Sequence, residues 1–445
     1  MKKVFRIVSA LAAALALLLS ACSDTSSSVT PFVPFPPPEP QPEPQPEPAR
    51  VDDPSIPLTL EALADGTITL NYPPSTFKYK KNGGGFETVT PSGDPPKATI
   101  TVAAGDKVCL FANGTGNSEK GSSSEYFSID CSADCYLYGN AMSLENADTY
   151  QTCAALSGNY EFYGLFCNNK HVKNHDKFNI VLPATELAEG CYSGMFNLCE
   201  GLTAAPNLPA TKLKKECYKM MFQDCINLEQ APELLPATEL ADNCCECMFY
   251  SCKSLKNAPK LPALKLATKC YEAMFSGCKK LAQAPSLPAT ELADFCYSSM
   301  FDSCELITSA PALPAATLAD SCYQGMFSRC KGLSQGPELP ATTLADDCYF
   351  QMFCECSGLK TAPVLKAKTL ARYCYRWMFY KCTSLSYVKC LATDISASNC
   401  LENWMTGVPA GGTFVKDKNI VVGAGGWTKD SENGIPSGWT VKNAE

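Results

Sequence analysis

The sequence has only two histidines and four tryptophans in 445 residues. Histidine is the commonest general base and a common metal ligand, so this scarcity disfavours an enzyme and gives no reason to expect a cofactor or a metal. Lysine and arginine number 37 against 45 acidic residues, for a net charge of -8, which disfavours a nucleic-acid partner. Nucleophile and phosphate-loop motifs are missing. A glycosidase-type carboxylate pair stays open, because only the fold sets its geometry.

Long apolar runs are also missing after residue 21, and the run before it is short. Lys2, Lys3 and Arg6 precede an apolar stretch at residues 7–19 that is too short for a spanning helix, which indicates an export signal at residues 1–21. The stretch ends in LSAC, which resembles the lipobox of bacterial lipoproteins. The sequence therefore predicts lipidation of Cys22 and a membrane partner through that anchor, with an ordinary cleaved signal as the alternative. We expect a lipid-anchored location in a bacterial cell envelope, on the outer surface.

Residues 22–54 are rich in serine and proline, with strict alternation of proline along residues 39–48. Such a segment cannot bury a core, so we expect a disordered stalk. A proline-rich ligand for a partner domain is the alternative. Residues 55–140 then show short runs of alternating polarity, such as TITL at 67–70 and ATITV at 98–102, which predict a small all-β domain.

A phrase of the form CYxxMFxxCxxLxxAPxLPATxLA recurs with a period of 26 residues over residues 191–399, broken once by an extra residue near Leu235. Its first cysteines are Cys191, Cys217, Cys244, Cys270, Cys296, Cys322, Cys348 and Cys374. A fixed period of this length indicates a solenoid, because each unit can bury its apolar face only against its neighbours. We expect caps at residues 141–190 and 400–445.

Within one unit, apolar residues recur every fourth position at Leu292, Cys296, Met300 and Cys304, which predicts a helix over residues 292–304. Prolines follow at positions 311 and 314, so a short parallel strand fits only at residues 305–310. The predicted fold is therefore an α/β repeat solenoid, leucine-rich-repeat-like, with a short helix and a short parallel strand in each 26-residue coil.

The repeated phrase resembles the 26-residue bacterial surface-protein repeats of the BspA-like leucine-rich repeat proteins, although no LxxLxLxxN run is present. The resemblance extends to residues 136–182 and 390–439, about two thirds of the chain. It implies a cell-surface lipoprotein that acts in adhesion to host or microbial surfaces, and not an enzyme.

The chain contains 27 cysteines, of which 26 follow Cys22. An even number in an exported chain permits disulfides, but cysteines eight apart on a helix are about 12 Å apart, too far to pair. Buried reduced thiols and disulfides of a distorted unit both stay open. The pairs Cys131 with Cys135 and Cys390 with Cys400 are the predicted bridges. His171 and His175 have zinc-ligand spacing if helical, but an exposed loop is favoured and we expect no metal site.

Some positions within the repeat, which we call slots, hold different residues in different units. These variable slots are the candidate ligand-binding positions, because packing does not dictate them. In the last two units they form an aromatic and cationic group, Phe350, Arg372, Arg376, Trp377, Tyr380 and Lys381. Such side chains dominate interface energetics. The alternative is that Trp377 and Tyr380 pack beneath the C-terminal cap. The sequence thus predicts an adhesin that binds an extracellular protein or glycan, with a structural envelope scaffold as the alternative.

Overall fold

The computed structural model describes residues 50–117, 125–429 and 431–445. These residues form β-strands and turns with no α-helix among them, and one turn of 3-10 helix lies at Ala141–Ser143. The predicted signal peptide, the lipidation site Cys22 and the stalk up to residue 49 lie outside the described residues.

The strands before the repeats form two sheets. These strands are β1 (Thr59–Ala62), β2 (Gly66–Asn71), β3 (Lys78–Lys81), β4 (Phe86–Thr88), β5 (Lys97–Val102), β6 (Lys107–Phe111), β7 (Ser128–Cys131), β8 (Cys135–Asn140), β9 (Val172–Asn174) and β10 (Ile180–Val181). A three-stranded antiparallel sheet has the order β5-β2-β7, and a seven-stranded sheet has the order β10-β8-β1-β6-β3-β4, with β9 also paired to β8. Alternating polarity places Ile68 and Leu70 of β2 in the core.

The larger sheet continues into the residues that precede the first repeat. Strands β9 and β10 pair in parallel with β8, so residues 172–181 extend the sheet of the preceding domain. The two regions therefore share one hydrogen-bonded sheet.

Each repeat forms one coil of a stack. In each coil a run of tight turns, residues 295–304 in one of them, joins the coil to the next, and we call this run the turn ladder. Amide groups of alternate residues donate to the coil that follows: the amide of Ser299 bonds to the carbonyl of Gln324 at 2.7 Å. The intervening amides close tight turns, as when the amide of Met300 donates to the carbonyl of Tyr297 at 3.2 Å. Backbone hydrogen bonding is thus divided between neighbouring coils and local turns.

The predicted helix over residues 292–304 is wrong. Phe295, Ser299 and Ser303 have φ values of 56°, 53° and 60°, and a right-handed helix has no residue with positive φ. The turn ladder repeats every four residues, so its inward positions have nearly the same spacing as one face of a helix. Apolar periodicity alone could not distinguish the two structures.

The predicted strand at residues 305–310 is also wrong, because the structure contains no strand there. Outside the turn ladder, most neighbouring repeats pair only through isolated parallel bridges, such as Gln335 with Thr361. Proline limits this pairing since it offers no amide donor. After the described repeats, a parallel sheet closes the stack, formed by β11 (Tyr387–Cys390), β12 (Thr413–Lys416) and β13 (Thr440–Asn443). The α/β solenoid of helix-plus-strand coils is therefore corrected to a nearly all-β stack of turns.

The core of the stack is made of columns in which equivalent residues lie one above another. The methionine and phenylalanine of every repeat are completely buried. The phenylalanine rings stack from coil to coil at centroid distances of 5.4–5.8 Å. The tyrosines after the first cysteines form a second buried column, which Cys245 interrupts. Each coil thus buries its apolar side chains against its neighbours.

Candidate ligand-binding surface

The turn ladder presents side chains to the outside in a fixed rhythm. After the inward cysteine and tyrosine, two residues face outward, then methionine and phenylalanine face inward, then two more face outward. In the coil that begins at Cys296 these slots hold small or acidic residues, Ser298, Ser299, Asp302 and Ser303, of which Ser298 is buried. In the coil that begins at Cys374 they hold Arg376, Trp377, Tyr380 and Lys381.

We call the resulting cluster of Phe350, Tyr373, Trp377 and Tyr380 the aromatic patch. The ring of Trp377 stacks on Phe350 of the preceding coil, with centroids 6.0 Å apart and an interplanar angle of 28°. Tyr380 lies 6.0 Å from Trp377 at 34°. All four side chains are partly exposed. The structure therefore brings the predicted aromatic residues together on one surface, and it adds Tyr373.

Arg376 lies over three of these rings. Its guanidinium carbon is 5.0 Å from the centroid of Trp377, 5.2 Å from Tyr373 and 5.7 Å from Phe350. Its Nη2 also donates to Oε1 of Glu402 in the next coil, at 3.1 Å. Each cation–π contact at a partly exposed site stabilises by about 0.5–1 kcal/mol, so the guanidinium is held in place from two sides.

The other two predicted cations are held in the same way. Arg372 lies 5.1 Å from the ring of Tyr373, and its Nε donates to Oδ2 of Asp346 at 3.1 Å. Asp346 raises the pKa of Arg372, first through this hydrogen bond. Lys381 lies 5.0 Å from the Tyr380 centroid, and its Nζ is 3.7 Å from Oε1 of Glu355.

Pairing with acids fixes the cationic side chains beside the aromatic patch, and a surface that is fixed in this way would lose less entropy on binding a ligand.

Sequence reasoning did not find the acidic partners, although a signal was available. Arg376 and Glu402 are 26 residues apart, as are the pairs Asp346 with Arg372 and Glu355 with Lys381. One repeat of separation places two residues side by side on adjacent coils. Opposite charges at that spacing therefore indicate ion pairs.

Two polar atoms in and beside the aromatic patch are buried without a partner. Nε of Arg376 and Nε1 of Trp377 are buried and make no hydrogen bond. An unpaired buried donor costs about 1–3 kcal/mol. Such costs are expected at surfaces that serve binding rather than stability.

The alternative prediction from the sequence was that Trp377 and Tyr380 pack beneath the C-terminal cap. Other aromatics form the interior of that cap: Trp404 stacks on Trp427 at 5.6 Å and contacts Phe414 at 6.1 Å. The ring contacts of Trp377 are instead with Phe350 and Tyr380 on the outward face.

The two histidines have separate partners. Nδ1 of His171 lies 3.1 Å from Oδ1 of Asp134, whereas Nδ1 of His175 accepts the amide of Lys177 at 2.9 Å. Strand β9 lies between them, so the helical spacing that a zinc site required is absent. Within the described ranges, no three potential ligands gather around one point.

The 26 cysteines after Cys22 are all free thiols in the structure. The second cysteine of each repeat donates its S–H to the phenylalanine carbonyl of the preceding coil, as Cys304 does to Phe275 at 3.1 Å. Burial raises the pKa of these second cysteines, as at Cys304. Burial also raises the pKa of Cys191, the first cysteine of its repeat, to about 12. Buried thiols of this kind are unreactive. The cysteines of the two predicted bridges are all buried, and none is paired. The thiol of Cys135 donates to the carbonyl of Ala133 at 3.3 Å, and that of Cys400 donates to the carbonyl of Ile395 at 3.3 Å.

Comparisons with protein-family models, with curated proteins and with solved structures found no match to this chain. The resemblance to the BspA-like repeats therefore depends on the 26-residue phrase. None of the described residues belongs to a helix that could span a membrane.

Proposed function

We propose that this chain is a lipid-anchored binding protein of the bacterial cell surface, an adhesin related to the BspA-like repeat proteins. It recognises a host or microbial protein or glycan without chemical turnover, at the aromatic patch. The observation that supports this proposal is the concentration of Phe350, Trp377 and Tyr380 with Arg376 on one outward face.

Tryptophan, tyrosine and arginine are the residues that most often dominate binding energy at interfaces. Here they are prearranged by stacking and by ion pairs to the neighbouring coils. Because the cations already have acidic partners, the patch offers ring edges and hydrogen-bonding groups more than net charge. The stack holds this surface on a rigid support, and the predicted stalk and lipid anchor would hold it away from the membrane.

Replacing Trp377 by alanine is expected to weaken ligand binding by about 30-fold or more, since hot-spot residues contribute about 2 kcal/mol or more. The purified chain is first screened against glycan arrays and extracellular-matrix proteins. The affinity of each hit is then measured for the wild type, Trp377→Ala and Tyr380→Ala by surface plasmon resonance.

The matched control is Tyr250→Ala. Tyr250 occupies the slot of Tyr380 five coils earlier in the stack, and it is also exposed, but it lies outside the aromatic patch. The control is expected to keep the wild-type affinity. A folded Trp377→Ala chain that binds as tightly as wild type would remove the patch from the proposal and favour a scaffold role.

A further inference from the structure

One ring nitrogen of His175 closes the loop between β9 and β10. Nδ1 of His175 accepts the amide of Lys177 at 2.9 Å and the amide of Phe178 at 3.2 Å. An imidazole nitrogen accepts hydrogen bonds only when it carries no proton, so these two bonds require a neutral ring with its proton on Nε2. The conformation of the loop therefore depends on the protonation state of one side chain.

The same loop holds the first described residues of the chain. The amide of Val51 donates to the carbonyl of Lys177 at 2.8 Å, and the amide of Asn179 donates to the carbonyl of Val51 at 3.0 Å. The side-chain Nδ2 of Asn179 donates to Oδ1 of Asp52 at 2.7 Å. These first residues are thus bonded to the loop that His175 closes.

Aromatic side chains enclose the ring of His175. Its centroid lies 5.0 Å from that of Tyr136, 4.6 Å from that of Tyr138 and 5.2 Å from that of Phe178. Only 13% of the His175 side chain is exposed. Burial is the main cause that lowers the pKa of His175, because a charged imidazolium would lose its hydration there. At neutral pH the ring therefore keeps Nδ1 able to accept both amides.

Charged groups around the ring act on its pKa in both directions. Against the effect of burial, Glu61 of β1 and Asp176 of the loop raise the pKa of His175, whereas Lys107 of β6 and Lys177 lower it. Oε2 of Glu61 lies 3.7 Å from Nε2 of the ring. The same oxygen is 3.3 Å from Nζ of Lys107, which partly neutralises its charge. Burial therefore prevails.

We propose that His175 is an acid-sensitive latch: protonation of Nδ1 breaks both of its hydrogen bonds to the loop and releases residues 50–52 from residues 177–179. The new N–H faces two amide donors and cannot bond to either of them. Since the pKa of the ring is lower in the folded chain than in the unfolded chain, the stability that the latch contributes is present above about pH 6.5 and is lost as the pH falls below that value. The latch needs no ligand and does not rest on the proposed function.

Hydrogen exchange of the full chain tests the latch, with mass spectrometry at about pH 7.5 and about pH 5 and correction for the intrinsic exchange rates. The expected result is a several-fold loss of protection at the lower pH in peptides that cover residues 50–58 and 175–181, with unchanged protection in the turn ladder of the repeats. Equal protection of the loop at the two pH values would overturn the proposal. An equal loss along the whole chain would overturn it as well, because the effect would then not be local.

Two variants separate the latch from general sensitivity to acid. In His175→Asn the side-chain oxygen can accept the same two amides, as asparagine does in tight turns, but the group does not titrate. This variant is expected to keep its protection at both pH values, and a loss at the lower pH would contradict the proposal. His171→Asn removes the other histidine of the chain, whose Nδ1 lies 3.1 Å from Oδ1 of Asp134.

The His171→Asn chain should show the wild-type loss of protection at the lower pH. This comparison still decides if His175→Asn does not fold, because His175 is then the one histidine that remains. If the pH response disappears in His171→Asn, the latch is not His175 and the proposal is wrong.

Discussion

Replacing Phe301 by alanine is expected to lower the free energy of unfolding by about 3–5 kcal/mol. Phe301 is completely buried, and its ring lies between those of Phe275 and Phe327 at 5.8 and 5.7 Å. Its amide donates to the carbonyl of Met326 in the next coil. The turn ladder therefore fixes the spacing of the coils, so the neighbouring rings cannot close the cavity that the substitution leaves.

The measurement is denaturation by urea, monitored by tryptophan fluorescence and by circular dichroism. Leu306→Ala is the matched control, because Leu306 belongs to the same coil but is 51% exposed. Its expected change is within about 0.5 kcal/mol. Equal effects of the two substitutions would mean that the phenylalanine column is not the core of the stack.

Replacing Trp404 by alanine, at the end of the stack, is expected to lower the free energy of unfolding by about 3–5 kcal/mol. Trp404 is completely buried, stacks on Trp427 and lies 6.1 Å from Phe379 of the last repeat. Its Nε1 donates to the carbonyl of Gly434 at 2.8 Å. The substitution removes the ring that covers the last coil and leaves this carbonyl without its donor, and repeat stacks depend on such terminal covers.

Hydrogen exchange measures this effect coil by coil. Amides in the last repeats should exchange faster in Trp404→Ala, while those of β1–β8 should keep their wild-type protection. Val421→Ala, at an exposed position in the same cap, should change neither region. Uniformly faster exchange along the whole chain would show that the stack unfolds as one unit and that Trp404 has no local role.

The sequence allowed the coil length and the buried positions to be predicted, but not the backbone between them. Apolar residues at every fourth position fit both a helix and the turn ladder, so this spacing predicts a helix where the structure has turns. The missed signal is in the outward slots with positive φ, where Gly194, Gly277 and Gly325 recur and Asn243 also occurs. Glycine and asparagine are the residues that most readily adopt this conformation. Ser299 and Phe295 occupy the same slots and conceal the pattern.

The residues of the candidate surface could be predicted from the sequence for a different reason. In a repeat, positions that packing does not constrain vary, and the bulky residues of the last two units are conspicuous among the serines and glycines of other units. Their acidic partners were missed because pairing across coils depends on which residues of adjacent coils lie side by side. The spacing of 26 residues between Arg376 and Glu402 indicates their ion pair, but the contact of the guanidinium with the ring of Trp377 could be identified only in the structure.

The central claim is that each repeat contains a ladder of turns and not a helix, and one pair of glycine substitutions tests it directly. Ser299 has a φ of 53°, and the adjacent Ser298 is not among the residues with positive φ. Ser299→Gly is expected to raise the free energy of unfolding by up to about 1 kcal/mol, because glycine adopts this conformation without steric cost. Ser298→Gly should lower it. If both substitutions destabilise by about 0.5–1 kcal/mol, as glycine does inside a helix, the repeats are helical and the account is wrong.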